Sequence, residues 1–448
     1  MAAYSVLSRA ACLLALGAVV SAGCTGSSGH TRPPQAGSSA VASPAVTGTV
    51  AGAHVRVLGM WSGPELQSFQ AVQSVWERQT GATVDWQGSD DVAADLQRSS
   101  ARSGPDIAVL PNLRVLQELA DAGRLVPLDR ALDVTQLRHD YPAIWLALGS
   151  RAGKHYGLFY KVTDKSTVWY APTSFTANGW SVPSTWHDLL SLADRMVAAG
   201  HTPFSVVSAS GQASGWPLTD WVSEIVLTGC GPDVYDRWVS ARLPWTDPCV
   251  RKSFVMLLDL LHHDGYVLGG ADAVLSTSDE QGADPLYARP PKAEMYYMAS
   301  FAQGFITSRL PDLRPGRDYG FFPFPAVNPE WRGSITVGAD VVVMTRDTPA
   351  ARAFLSYLAG APAQEVWIRR GGFTSVARSV PTDTYPDPVA REVATHLSTA
   401  RATRFSAGDM MPATLQRAWW RGMLRLVRDP GALDSVLGSL TRLARSAR

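Results

Sequence analysis

HVRVLGMWSGPELQSFQAVQSVWERQTGATVDWQG, residues 54–88, decides how the rest of the chain is read. Apolar and polar residues alternate through "HVRVLGM" (54–60), the period of a half-buried strand. From residue 65 the period changes: Leu66, Phe69, Val72 and Trp76 fall on one face of a helix. "ATVDWQG" (82–88) returns to strand. Working outward, "VAADLQRSSA" (92–101) reads as a helix, "DIAVLP" (106–111) as a strand and "LRVLQELADAG" (113–123) as a helix closed by Gly123. Strands that alternate with helices of this length predict a mostly parallel, doubly wound sheet. In such sheets, ligands sit beyond the carboxyl ends of the strands. Here those ends carry "WSGPE" (61–65), "GSDD" (88–91) and "PNL" (111–113), which gather aromatic, carboxylate and amide groups on one edge.

A second α/β unit begins near residue 165 with "KSTVWYA", the amphipathic helix "TWHDLLSLADRMVAAG" (185–200), the strand "PFSVVSAS" (203–210) and a helix that starts in "SGWPLTDW" (214–221). Pro217 favours a helix's first turn, so Trp216 is expected on the loop at the helix start, while Trp221 joins Leu218 and Ile225 on a buried stripe. "DYGFFPFPAV" (318–327) and "SITVGADVVVM" (334–344) are expected to re-enter the first sheet. At 448 residues the chain exceeds the size of a single core, and two lobes are predicted. Lys plus Arg (40) nearly balances Asp plus Glu (39), which leaves no basic field for a nucleic acid and favours an uncharged partner.

Arg9 followed by the apolar run "AACLLALGAVV" (10–20) and "SAGC" reads as a signal peptide over 1–23. Small residues before Cys24 resemble a bacterial lipobox, which implies acylation of Cys24 and export to the outer face of the membrane. Residues 24–53 are Gly, Ser, Pro, Thr and Ala with few bulky apolar groups, a flexible tether reaching on the order of 30 Å. The remaining two cysteines, Cys230 and Cys249, are expected to form a disulfide in an oxidising compartment. No cofactor or metal is expected, since two cysteines without a histidine at ligand spacing make a poor zinc site.

"VLGMWSGPELQSFQAV", "GSDD", "GPDIAVLP", "GLFYKVTDKSTVWYAP", "SGWPLTDW", "DYGFFPFP", "VGADVVVM" and "DMMP" follow one another in an order that resembles the family 1 bacterial extracellular solute-binding proteins, the maltose-binding-like receptors of carbohydrate ABC importers. The resemblance implies a periplasmic-binding-protein-like fold with a sugar held between the lobes, closure on the ligand, and delivery to the transmembrane subunits of an ABC permease by a monomer. The expected lobes are 54–162 with 318–372, and 163–317 with 373–448.

Neutral sugars present apolar ring faces and a rim of hydroxyls, so aromatic rings, carboxylates and amides are the groups to seek. The candidates are Trp61, Glu65, Asp90, Asp91, Asn112 and Trp216 at strand ends, with Asp164, Asp340 and Phe373 added by the resemblance at the crossings. The resemblance also points to "LQRAWWRGM", where Trp419 or Trp420 would face the sugar. Ser62 and Glu65 have the spacing of a capping box, which competes with a ligand role for Glu65. A glycoside hydrolase would need two carboxyl groups flanking one bond, and the sequence carries no nucleophile elbow, zinc-protease or P-loop motif. The remaining alternative is a lipid-anchored sensor or envelope interaction protein on the same fold.

Overall fold

A computed structural model describes residues 50–89, 91–99 and 104–446. The signal peptide, Cys24, most of the tether and Asp90 lie outside the described residues. The tether stops short of residue 53, because Val50 is buried in the first core and the amide of Gly52 donates to the carbonyl of Gly81 (2.8 Å).

The opening stretch folds as its periods dictate. Strand His54–Gly59 pairs in parallel with Thr83–Gly88 on one side and with Ile107–Leu110 on the other. The connecting helix Gly63–Thr80 has Pro64 in its first turn, buries Phe69, Val72 and Trp76, and ends at Gly81, whose φ of 72° is the left-handed conformation that suits glycine. Asp106 serves the frame: it accepts from the backbone amide of Arg56 (2.8 Å) and from the Arg346 guanidinium (2.9 Å).

Two long strands tie this sheet to the rest. The outgoing strand Gly157–Asp164 pairs antiparallel with the return strand Ser334–Met344. The return strand also pairs antiparallel with Ile107–Leu110, and its other end pairs in parallel with Ala402–Phe405. Between Asp340 and Val341 the register slips, leaving Tyr160 unmatched, a bulge that re-aims the side chains beside it.

The second sheet is mixed, ordered Gly320–Pro323, Thr167–Tyr170, Met295–Tyr297, Phe204–Ser205, with only the last pair parallel. Strand Gly320–Pro323 therefore pairs within the second sheet, and only Ser334–Met344 returns to the first, which corrects the expected re-entry at 318. Likewise Phe373, Val380 and Tyr385 pack into the core beside the first sheet, whereas the chain past Ala407 packs into the second. Both shifts have one cause: apolar runs of similar length fit either sheet, and pairing partners decide.

Helices Trp186–Ala198, Trp216–Cys230, Pro248–His262, Ala413–Arg428 and Leu433–Ser446 enclose the second core. Thr185 and Asp188 form a reciprocal capping box at the start of the first of them. A disulfide joins Cys230 to Cys249, tying the end of one core helix to the start of another. Closing a loop of this length contributes roughly 3 kcal/mol in the chain-entropy account. None of the described helices is long and apolar enough to cross a membrane.

Candidate functional site

Lys161, on the outgoing strand, stands opposite Asp340 on the return strand, so their side chains share one face. Its ammonium reaches Glu65 Oε1 (2.6 Å) and Asp340 Oδ2 (3.4 Å). The same Asp340 oxygen accepts from Trp61 Nε1 (2.8 Å). Burial works against the Lys161 charge, but Asp340 and Glu65 outweigh it and hold the ammonium's pKa above the usual lysine value. Burial also raises Asp340, with Lys161 opposing. Glu65 is the most exposed member, with about half of its side chain open (48%).

Four residues on, just past the outgoing strand, Lys165 repeats the arrangement with partners from the second lobe. Its ammonium lies 3.0 Å from Asp409 Oδ2 and 3.2 Å from Asp220 Oδ2. The Ser406 hydroxyl donates to Asp220 Oδ1 (2.8 Å), and Gln416 Nε2 makes a long contact with Asp409 Oδ1 (3.4 Å). The ammonium also stands 5.7 Å from the centre of the Trp216 ring. Burial again opposes the charge, and Asp220 and Asp409 more than compensate, so Lys165 too is held above its usual pKa. Gly338 makes room for it: a Cβ there would lie 2.9 Å from Lys165 Cε. Gly338 and Asp340 alternate onto the same face of the return strand, so the two lysine-centred groups are neighbours at the carboxyl edge of the first sheet.

Of the sequence-predicted residues, Glu65, Asp340 and Trp216 are brought together here. Glu65 is no helix cap: Ser62 occupies the cap position without a side-chain bond, and the Glu65 carboxylate turns to Lys161 instead. Trp216 is half-buried in the first turn of its helix, preceded by Gly215 at φ 104°. A Cβ on Gly215 would stand 2.5 Å from the carbonyl oxygen of Trp420, which fixes how closely helix Ala413–Arg428 approaches.

The other candidates are placed differently. Trp61 is buried (2% exposed), stacked on Trp86 at 5.6 Å and set edge-on against Trp367, so it supports the site through its N–H and offers no open ring face. Gly59 permits that stack, because a Cβ there would collide with the Trp86 ring. Asp164 is fully buried, paired with His396 Nδ1 (2.5 Å) and accepting from the Ser166 amide (2.9 Å). Phe373 is core, edge-on to Tyr160. Trp419 is enclosed by Trp238 and Trp245, and its neighbour Trp420 is the half-exposed member of the pair. Asp91 and Asn112 are helix caps: Asp91 accepts from Ala94 N (3.0 Å), Asn112 from Arg114 N (2.8 Å) and Val115 N.

Lys161, Lys165, Asp220 and Asp409 were not singled out from sequence. A search for hydroxyl acceptors and rings passes over cations, although both lysines lie in "YKVTDKST" and Asp220 follows Trp216 by one helical turn.

The sequence profile of the bacterial extracellular solute-binding proteins matches residues 61–365. The chain belongs to that family. Among its relatives, this solute-binding protein is 31% identical over 403 residues to the osmoprotective compounds-binding protein GgtB of Synechocystis sp., covering 89% of this chain and 94% of that one. It is 32% identical over 401 residues to the alpha-glucosides-binding periplasmic protein AglE of Rhizobium meliloti, covering 86% of each chain. Among solved structures it resembles the bacterial solute receptor AcbH, described as having an exclusive preference for β-D-galactopyranose, with a TM-score of 0.75 at 18% identity over 88% of this chain and 99% of that one. A chitin oligosaccharide binding protein matches with a TM-score of 0.74 at 20% identity over 88% of this chain and 99% of that one. At such identities these structures speak for the fold: two α/β lobes of the periplasmic receptor type.

Proposed function

We propose that this solute-binding protein captures a neutral mono- or oligosaccharide between its lobes and delivers it, without turnover, to the transmembrane subunits of an ABC importer. The observation that carries the reading is the pair of lysine-centred carboxylate groups set side by side at the carboxyl edge of the first sheet, with the Trp216 ring against one of them. Each group leaves one carboxylate partly open to accept hydroxyl hydrogens, Glu65 in the first and Asp409 in the second, and the half-buried indole supplies the apolar face that a pyranose ring needs. The name of one sequence relative, an alpha-glucosides-binding protein, supports the same class. Cys24 carries the lipid anchor, and the protein works as a monomer on the outer face of the cell membrane.

Calorimetry of the mature protein against a panel of glucosides, galactosides, other oligosaccharides and polyols tests the reading. Saturable binding of a neutral sugar without product release is expected. Silence across the panel, or appearance of hydrolysis products, rejects it. Mass spectrometry of the membrane-extracted chain tests the anchor, which falls if the mature protein starts anywhere but residue 24.

A further inference from the structure

Lys165 is almost wholly buried, and two of its three N–H donors are committed to carboxylates from separate elements. Asp220 comes from the helix that begins at Trp216, and Asp409 from the turn that precedes helix Ala413–Arg428. With no cation between them, two carboxylates brought this close would repel each other. The two are not equivalent. Asp220 is nearly closed off and takes Ser406 as well, whereas Asp409 keeps 23% of its side chain exposed and has only the long Gln416 contact on its second oxygen. Spare acceptor capacity thus lies on Asp409, beside the Trp216 ring.

We propose that Lys165 is a positioning residue: it holds Asp220 and Asp409 together as charged acceptors, so that Asp409 is presented with Trp216 to the ligand's hydroxyls, and Gly338 exists to let its side chain through. This rests on the sugar-receptor reading above. A side chain so engaged reads few hydroxyls itself; its work is to assemble the half-site from elements far apart in sequence. Gly338 gives a second probe of the same contact, because an alanine there keeps every charge and every partner while its Cβ would lie 2.9 Å from Lys165 Cε. The other titratable groups around the triad are Glu224 one turn along the same helix, whose carboxyl burial raises to about 7 and so into the range tested below, and Tyr235 on the next helix and Tyr297 on the second sheet, both of which burial holds well above that range.

The test compares the mature parent protein with Lys165→Met, Lys165→Arg and Gly338→Ala. Affinity for a sugar that the parent binds is measured by calorimetry from about pH 5 to 8, and carboxyl carbons are titrated by NMR in the ligand-free proteins. Lys165→Met is expected to bind at least about 30-fold more weakly at pH 7, because Asp409 is then no longer held in place as a charged acceptor. The ratio of parent to Lys165→Met affinity should also change across this range, because the two carboxylates then face each other without their counter-ion, while the Glu224 carboxyl titrates in both proteins and cancels in the ratio. Lys165→Arg should recover part of the loss, and Gly338→Ala should lose about tenfold with its charges intact. Binding by Lys165→Met within about threefold of the parent, or a loss equal at every pH, overturns the proposal. Should Lys165→Met not fold, Gly338→Ala decides by the same affinity measure. If the parent binds no sugar, the receptor reading fails, and the ligand-free titration still judges Lys165: an aspartate midpoint that stays put in Lys165→Met rejects the role.

Discussion

Trp216 and Trp221 sit on one helix and answer to different neighbours. Trp221 is 2% exposed, among Trp186, Phe204, Tyr297 and Phe324, and its replacement by alanine should cost roughly 3 to 5 kcal/mol, as large core truncations do. Trp216 is half-buried and rests against Lys165 and Phe301. Trp216→Ala should leave the melting temperature of the ligand-free protein nearly unchanged and weaken sugar binding about tenfold or more, as loss of a central aromatic contact does. Calorimetry and thermal melts on both variants check this, and a Trp216→Ala protein that unfolds or binds like the parent refutes it. This division was legible in sequence, because Pro217 sets the helix start and spacing sets the buried stripe. Trp61 was not legible in the same way. A loop tryptophan looks available until Trp86 and Trp367, remote in sequence, are seen to close over it. The lysines escaped notice for a related reason, since a cation becomes part of a site only when its carboxylates arrive from other segments.

Along helix Trp216–Cys230 one face carries three functions at successive turns. Trp216 and Asp220 belong to the candidate site, and Glu224, fully buried, accepts from Ser166 Oγ, Thr336 N (2.8 Å) and Thr336 Oγ1 (2.5 Å). Glu224 thereby pins the helix to both crossing segments. Burial drives its carboxyl from 4.5 up to about 7, with Asp164 adding to the rise. Nearby, burial disfavours the His396 charge, but Asp164 prevails and raises it. The signs agree. Above pH 4.5 the unfolded chain gives up the Glu224 proton while the folded chain keeps it until about pH 7, so stability falls as pH rises through that window. The His396 contribution is complete below the histidine's unfolded value and is lost as pH rises through its raised folded value. At pH 8 the Glu224 penalty is roughly 3 kcal/mol at the usual conversion. Melting temperature should therefore drop between about pH 5 and 8, and the drop should be shallower in Glu224→Gln. Parallel pH profiles for the two proteins would show that Glu224 does not titrate in this window. Where period and caps agree, the sequence alone sets the element, as in Gly63–Thr80 and Trp186–Ala198. It leaves open the partner of a short strand such as Gly320–Pro323, which fits either sheet because nothing local chooses.

Across the whole molecule, two lobes joined by the outgoing and return strands can enclose a ligand only by turning about those strands. Small-angle scattering with saturating sugar should show a smaller radius of gyration than the ligand-free protein, and an unchanged radius would argue for a rigid receptor. Both lysines lie on the segment that crosses between lobes, so a turn there moves the site's own counter-ions. The return strand has a further consequence, one of timing. Ile107–Leu110 waits for its neighbour Val341–Met344, which the ribosome supplies more than 200 residues later. At ordinary synthesis rates that interval is on the order of 10 to 50 s. Until that strand is in place, the first sheet presents an open edge, able to recruit foreign strands. The strand that pairs with three others is thus among the last made, and a ribosome that stalls before Ser334 leaves behind a sheet that cannot be completed.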